Sequence, residues 1–370
     1  MANLYSKFNQ IRSHIISFVR EEPLTVAILL FCFISYAAFF MLHPSEPKEP
    51  SKAMQDIKVV EEKLKEQDQV ELLLNFFQES EPIQVFFFIL FPLMLFGATC
   101  IGVALNVYAL NQWSQKKEVI PKGYEKAPPI GWGIREIIKC VIFIVFMSLA
   151  LALLVVVLNI FFDTKTHYNF VILMHTLMID VSVLFFIYYL TKTKGCDLTS
   201  LGLKFQKLKK DLFAGLAIYA AVLPIIILVL TGLVFISELI SYEPPPHPLV
   251  EILVEEDKKT PIIIYLSIFL ACTLGPVIEE MFFRGFCYPV FKEKWGSVWG
   301  MVISAAFFAS IHGSLFAFIP IFVLGLILAY VYEKRNSLIP SIVIHVTHNS
   351  IFIGYFFLLK RNFIDPLMGG

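Results

Sequence analysis

The sequence predicts an all-α bundle of about nine membrane-spanning helices, and three observations predict it. Of 370 residues, 57% are hydrophobic and 16% charged, against about 45–50% and about 25% in an ordinary soluble domain. The mean hydropathy of +0.73 therefore needs lipid to cover it. The apolar residues also gather into nine runs of bilayer-crossing length, which takes about 20 mostly apolar residues. Finally, Lys and Arg concentrate in alternate connecting segments, as they do in cytoplasmic loops. Thirty basic and 30 acidic residues balance to zero, which rules out a disordered chain or a secreted disulfide scaffold and argues against a nucleic-acid partner. Six Cys lack C-x-x-C spacing and mostly fall inside apolar runs, so they read as small core hydrophobes.

The first span, near 24–42, follows Lys7, Arg12 and Arg20. Its apolar run exceeds a signal-peptide core and no small-residue cleavage site follows, so it reads as a membrane anchor. The next stretch, 51–82, has an apolar stripe at Ile57, Val60, Leu64, Val70, Leu73 and Phe77, with ten acids between Glu46 and Glu81. It reads as an amphipathic helix outside the membrane, most simply a solvated hairpin between spans one and two. The remaining spans are expected near 83–110, 136–162, 169–190, 212–240, 261–287, 297–313, 315–332 and 338–359. Pro121 to Pro129 and Pro244 to Pro248 mark loops. Alternate segments beginning with the N-terminus hold 20 basic residues, and the opposite set holds 10. This bias places the N-terminus in the cytoplasm. Residues 1–134 read as an N-terminal anchor region with an acidic hairpin, and 135–370 as a core without internal repeats.

An ionisable residue within a bilayer is costly and therefore a functional hypothesis. Three clusters qualify, all in the last four spans. In Glu279-Glu280-Met281-Phe282-Phe283-Arg284, Glu280 and Arg284 stand four apart on one helix face, in the favourable order for an ion pair. Glu279 is turned about 100° away, leaving it to take a proton. Phe308 and His312 share a second face, and His345 and Asn349 a third. Each alone is weak, because lone polar residues in membrane helices are commonly hydrogen-bonding glue. That is the preferred reading of His175 and Asp180 in the fourth span, and His348 likewise points away from Asn349.

Depth raises the odds. If the sixth span runs past Gly285, kinks near Pro289 and turns at about Lys292, Glu279 lies about 20 Å from that turn. His312 lies about 22 Å and Asn349 about 17 Å from the starts of their helices, at 1.5 Å per residue. All three clusters then meet in one pocket, so a long or kinked sixth span is expected.

In this order, Glu279-Glu280-x-x-x-Arg284, Phe308-x-x-x-His312 and His345-x-x-x-Asn349 resemble the CPBP family, the CAAX proteases and bacteriocin-processing enzymes also called the Abi family. The resemblance covers roughly 135–370, including Leu201-Gly202-Leu203-Lys204. It implies an intramembrane endopeptidase acting on a protein or peptide substrate, in some members prenylated. By that likeness Glu279 with His312 would activate water, while His345 and Asn349 would bind the scissile carbonyl. Glu280, Arg284 and Phe308 would support them. Amide hydrolysis independently requires a base and a preorganised oxyanion donor set.

No cofactor is required in the preferred, metal-free version. The chain lacks H-E-x-x-H, yet Glu279, His312 and His345 would make a three-ligand zinc set, since two His and one Glu is an established combination. The alternative function is a bacteriocin-immunity or scaffold protein of the same fold. A proton-coupled transporter is disfavoured by the missing repeat. The expected partners are membrane lipid and the substrate, and the expected location is a bacterial inner membrane, with the endoplasmic reticulum as alternative.

Overall fold

The computed structural model describes residues 80–125, 130–161, 168–242, 248–255 and 261–364, with Val59, Leu73, Leu74, Phe76, Phe77 and Gln78. Among them every regular element is helical. The elements are α1 (Pro82–Ser114), α2 (Ile134–Phe161), α3 (Tyr168–Thr193), α4 (Leu208–Leu239), a short α5 (Pro248–Glu255), the long run α6 (Pro261–Ser310), α7 (Leu315–Arg335) and α8 (Ile339–Leu359). All except α5 are long and apolar enough to cross a membrane, seven among the described residues. The protein is an integral membrane protein.

The expected first span and most of the 51–82 helix lie outside the described residues. The other eight expected spans are present. Spans six and seven are the two arms of α6, divided at Gly296, whose φ of 80° and ψ of 167° interrupt the helix. The arms fold back on one another, with Gly300 packed against the Lys292 backbone and Ser304 donating to the Phe283 carbonyl at 3.1 Å. At Pro289, where a kink was expected, the chain has just left the π-helical Met281–Cys287. Pro289 occupies the first turn of the segment Tyr288–Ser310, where a missing N–H is tolerated. Two further irregularities are the π-helical stretches Leu270–Leu274 and Met281–Cys287.

Contacts divide the chain into two units, Met1–Lys48 with Gly133–Ile187, and Glu49–Trp132 with Tyr188–Gly370. In the first, α2 and the leading part of α3 pair through stacked Phe143 and Phe186, with ring centroids 4.4 Å apart. His175 Nε2 lies 3.3 Å from the Ser148 carbonyl. A carbonyl only accepts, so His175 donates, and it is the interhelical glue that the sequence suggested.

The second unit carries the site. Tyr219, Val222, Leu223 and Ile226 of α4 bury against Leu324, Leu328 and Val331 of α7 and Ile344 of α8. Gly102 of α1 lies so close to Ala220 of α4 that a methyl there would overlap its carbonyl, and Asn106 donates to the Ala221 carbonyl at 2.7 Å.

One end of this unit is a knot of the loops that basic-residue counting put on a single side. Arg335 donates to Asp211 at 2.6 Å and to the Pro121 carbonyl at 3.0 Å, and Ser337 donates to Asp211 at 3.0 Å. Tyr124 N–H reaches the Arg335 carbonyl, and Lys207 N–H the Tyr124 hydroxyl at 2.7 Å. The Leu201-Gly202 turn joins in. Gly202 adopts φ 97° against the Tyr332 ring, Tyr332 donates to the Leu201 carbonyl at 3.1 Å, and Leu338 N–H to that of Gly202 at 2.8 Å. Gly285 of α6 abuts Leu201, leaving no room for a side chain. The loop thus fastens α6, α7 and α8 together.

Candidate active site

The first π segment follows from Gly275-Pro276. Proline has no N–H, so Cys272 loses its α-type donor. Gly275 N–H meanwhile bonds five residues back to Leu270 rather than to Ala271. The freed Ala271 carbonyl accepts from Asn349 Nδ2 of α8 at 2.8 Å. In the second segment Tyr288 N–H bonds back to Phe283. The side chains of Ser304 and Trp132 reach the Phe283 and Phe286 carbonyls at 3.1 and 3.0 Å. Between the two wide turns stand Glu279 and Glu280. π segments are rare and recur at functional sites.

Glu280 is wholly buried, whereas the Glu279 side chain retains 31% exposure. Arg284 Nη1 donates to Glu280 Oε1 at 2.7 Å, as the four-residue spacing predicts. Its other terminal nitrogen donates to the Gly325 carbonyl of α7 at 3.3 Å. The guanidinium lies 4.3 Å from the Phe308 ring centroid, a cation–π contact that desolvation strengthens. Among the described residues Glu280 Oε2 and Arg284 Nε have no hydrogen-bond partner.

His345 bridges both carboxylates. Its Nδ1 sits 3.0 Å from Glu280 Oε1 and its Nε2 3.6 Å from Glu279 Oε2. Sequence spacing did not reveal this bridge, because it joins helices 65 residues apart. His312 joins the group through Phe308, whose ring centroid lies 4.9 Å from the His312 ring and 5.6 Å from the His345 ring. His312 Nδ1 is 2.8 Å from the Phe308 carbonyl. That carbonyl requires an Nδ1–H donor, so neutral His312 presents a bare Nε2. His348 instead neighbours Tyr219, ring centroids 6.2 Å apart, apart from these contacts.

Among the described residues no three His, Cys, Asp or Glu side chains group as a metal site. The arrangement presents one partly exposed carboxylate, two imidazoles and an amide beside a buried, charge-compensated Glu–Arg pair. Such groups can accept a proton from water and donate hydrogen bonds to a developing oxyanion.

No curated protein and no solved structure matches the chain. Residues 261–351 match the family model described as Rce1-like: Type II CAAX prenyl endopeptidase Rce1-like. The match begins with α6 and takes in Glu279, Glu280, Arg284, Phe308, His312, His345 and Asn349. On that match the site-bearing segment is Rce1-like, in agreement with the CPBP family to which its motifs pointed.

Proposed function

We propose that this protein is a CAAX-type intramembrane endopeptidase in which Glu279 is the general base. The observation that carries the reading is the contrast within the acidic pair: Glu280 is locked between Arg284 and His345, while Glu279 keeps partial exposure beside His345. A water held between Glu279 and the bare Nε2 of His312 loses a proton to Glu279 as its oxygen attacks the scissile carbonyl. Protonated His345, anchored to Glu280 through Nδ1, turns Nε2–H toward the oxyanion. Asn349 spends one amide hydrogen on Ala271 and offers the second to the same oxygen. As the tetrahedral intermediate collapses, the C–N bond breaks and Glu279 returns its proton to the leaving amine. With His345 protonated, Glu279, Glu280, Arg284 and His345 sum to zero charge, which suits a low-dielectric site.

The test is cleavage of a prenylated CAAX peptide by purified protein in lipid. Glu279→Gln lowers kcat by about 10²–10⁴, the usual contribution of a general base, with an unchanged thermal transition. Turnover equal to wild type would overturn the assignment. The reading needs no metal, so a zinc-specific chelator leaves the rate unchanged. Loss of activity restored by added zinc would instead favour the three-ligand site.

A further inference from the structure

A row of buried rings runs from the loop between α1 and α2 to the imidazoles of the site. Trp132, in that loop, is buried. Its indole N–H donates to the Phe286 carbonyl of α6 at 3.0 Å, and its ring stacks on that of Phe286 with centroids 5.6 Å apart and planes 15° from parallel. Phe286 touches Phe282 at 6.3 Å, and Phe282 touches Phe283 at 4.9 Å. Phe283 meets Phe308 at 5.2 Å, the ring against which His312, His345 and the Arg284 guanidinium all lie. All four of these Phe rings are buried. Phe307, on the second arm of α6, packs on the row from the side, 5.9 Å from Phe282 and 5.3 Å from Phe283.

Two features give this row leverage over the site. Its near end is held from outside α6: Gly131, beside Trp132, presses on Lys194, where a methyl would come within 3.1 Å, so the loop that carries the indole rests on the segment following α3. Its middle members stand on the wide turn Met281–Cys287, whose Phe283 and Phe286 carbonyls accept from Ser304 and Trp132. The same turn carries Arg284, which grips Glu280. An indole that moves therefore takes Phe286 with it by backbone and ring together. Close-packed interiors transmit such a displacement from ring to ring, and here the last ring borders both imidazoles.

We propose that Trp132 is a positioning residue: through Phe286, Phe282, Phe283 and Phe308 it sets the orientation of the His312 and His345 rings. That these imidazoles serve a hydrolysis rests on the reading above, but the coupling is measured without a cleaved peptide. Protein carrying isotope-labelled histidine is observed by NMR in detergent, with the His312 and His345 signals identified by their loss in His312→Gln and His345→Gln. Trp132→Leu, which removes both ring and donor, is expected to move both signals, because the ring current of Phe308 acts on them. Trp132→Phe keeps a ring in the row and moves them less. Tyr124→Phe loosens the same loop away from the row, by removing the hydroxyl that accepts from Lys207, and leaves both signals in place. Where wild type cleaves a prenylated CAAX peptide, Trp132→Leu lowers kcat by about 2–30-fold at unchanged KM, the range of coupling carried through packed side chains. Signals that stay in place in Trp132→Leu overturn the proposal, as do signals that Tyr124→Phe moves equally, or a kcat left at the wild-type value. Should wild type cleave nothing, the proposed function falls while the signals still decide the coupling. If Trp132→Leu does not fold, Phe286→Leu interrupts the row at the next ring and is read in the same way.

Discussion

Arg284 is the residue on which the site's electrostatics turn. It is fully buried, and it neutralises an equally buried Glu280 while lying against Phe308. Removing one member of such a pair leaves a bare charge in low dielectric. Arg284→Met is therefore expected to cost about 3–5 kcal/mol, seen as a lower thermal transition in detergent. The double replacement Glu280→Gln with Arg284→Met should recover part of that loss, and equal stability of the single and double variants would contradict the pairing. The pairs Glu280 with Arg284, Phe308 with His312 and His345 with Asn349 were legible in the sequence, because helical periodicity determines which residues share a face. The His345 bridge and the Asp211–Arg335 pair, 124 residues apart, were not. Their partners stand on different helices, and periodicity within one helix carries no information about its neighbour.

At the scale of the element, α6 was partly legible. Its two apolar runs, parted by the charges at 292–294, suggested two helices, and the backbone divides them at Gly296, close to the expected turn near Lys292. The required length was legible, since a sixth span ending near Phe286 would have left Glu279 too shallow. The π segments were not, because they arise from hydrogen bonds shifted by one residue and from side chains of other helices that satisfy the freed carbonyls. Deleting Thr273 should let Leu270–Leu274 relax to α-geometry and turn Glu279 by about 100° relative to the preceding turn. Helical circular dichroism is then retained while peptide cleavage is lost. A fully active deletion variant would show that the wide turn does not set the direction of the carboxylate.

For the whole molecule, the basic-residue bias correctly grouped the 116–139, 192–210 and 334–335 segments, parts of which interlock through Tyr124, Lys207, Asp211 and Arg335. Asp211→Ala strips the buried Arg335 of its carboxylate, and a loss of about 3–5 kcal/mol is expected by the same reasoning. Thermal unfolding in detergent measures it, with Asp211→Ala plus Arg335→Leu expected to be less damaged than Asp211→Ala alone. The same knot has a mechanical consequence. Ion pairs, backbone bonds and tightly packed glycines clamp α4, α6, α7 and α8 at that end, so it acts as a fulcrum. At the opposite end α6 and α7 are joined only by the four residues 311–314. If the proposed peptidase reading holds, the widening that admits a peptide is expected at that end, with an amplitude that grows with distance from Arg335.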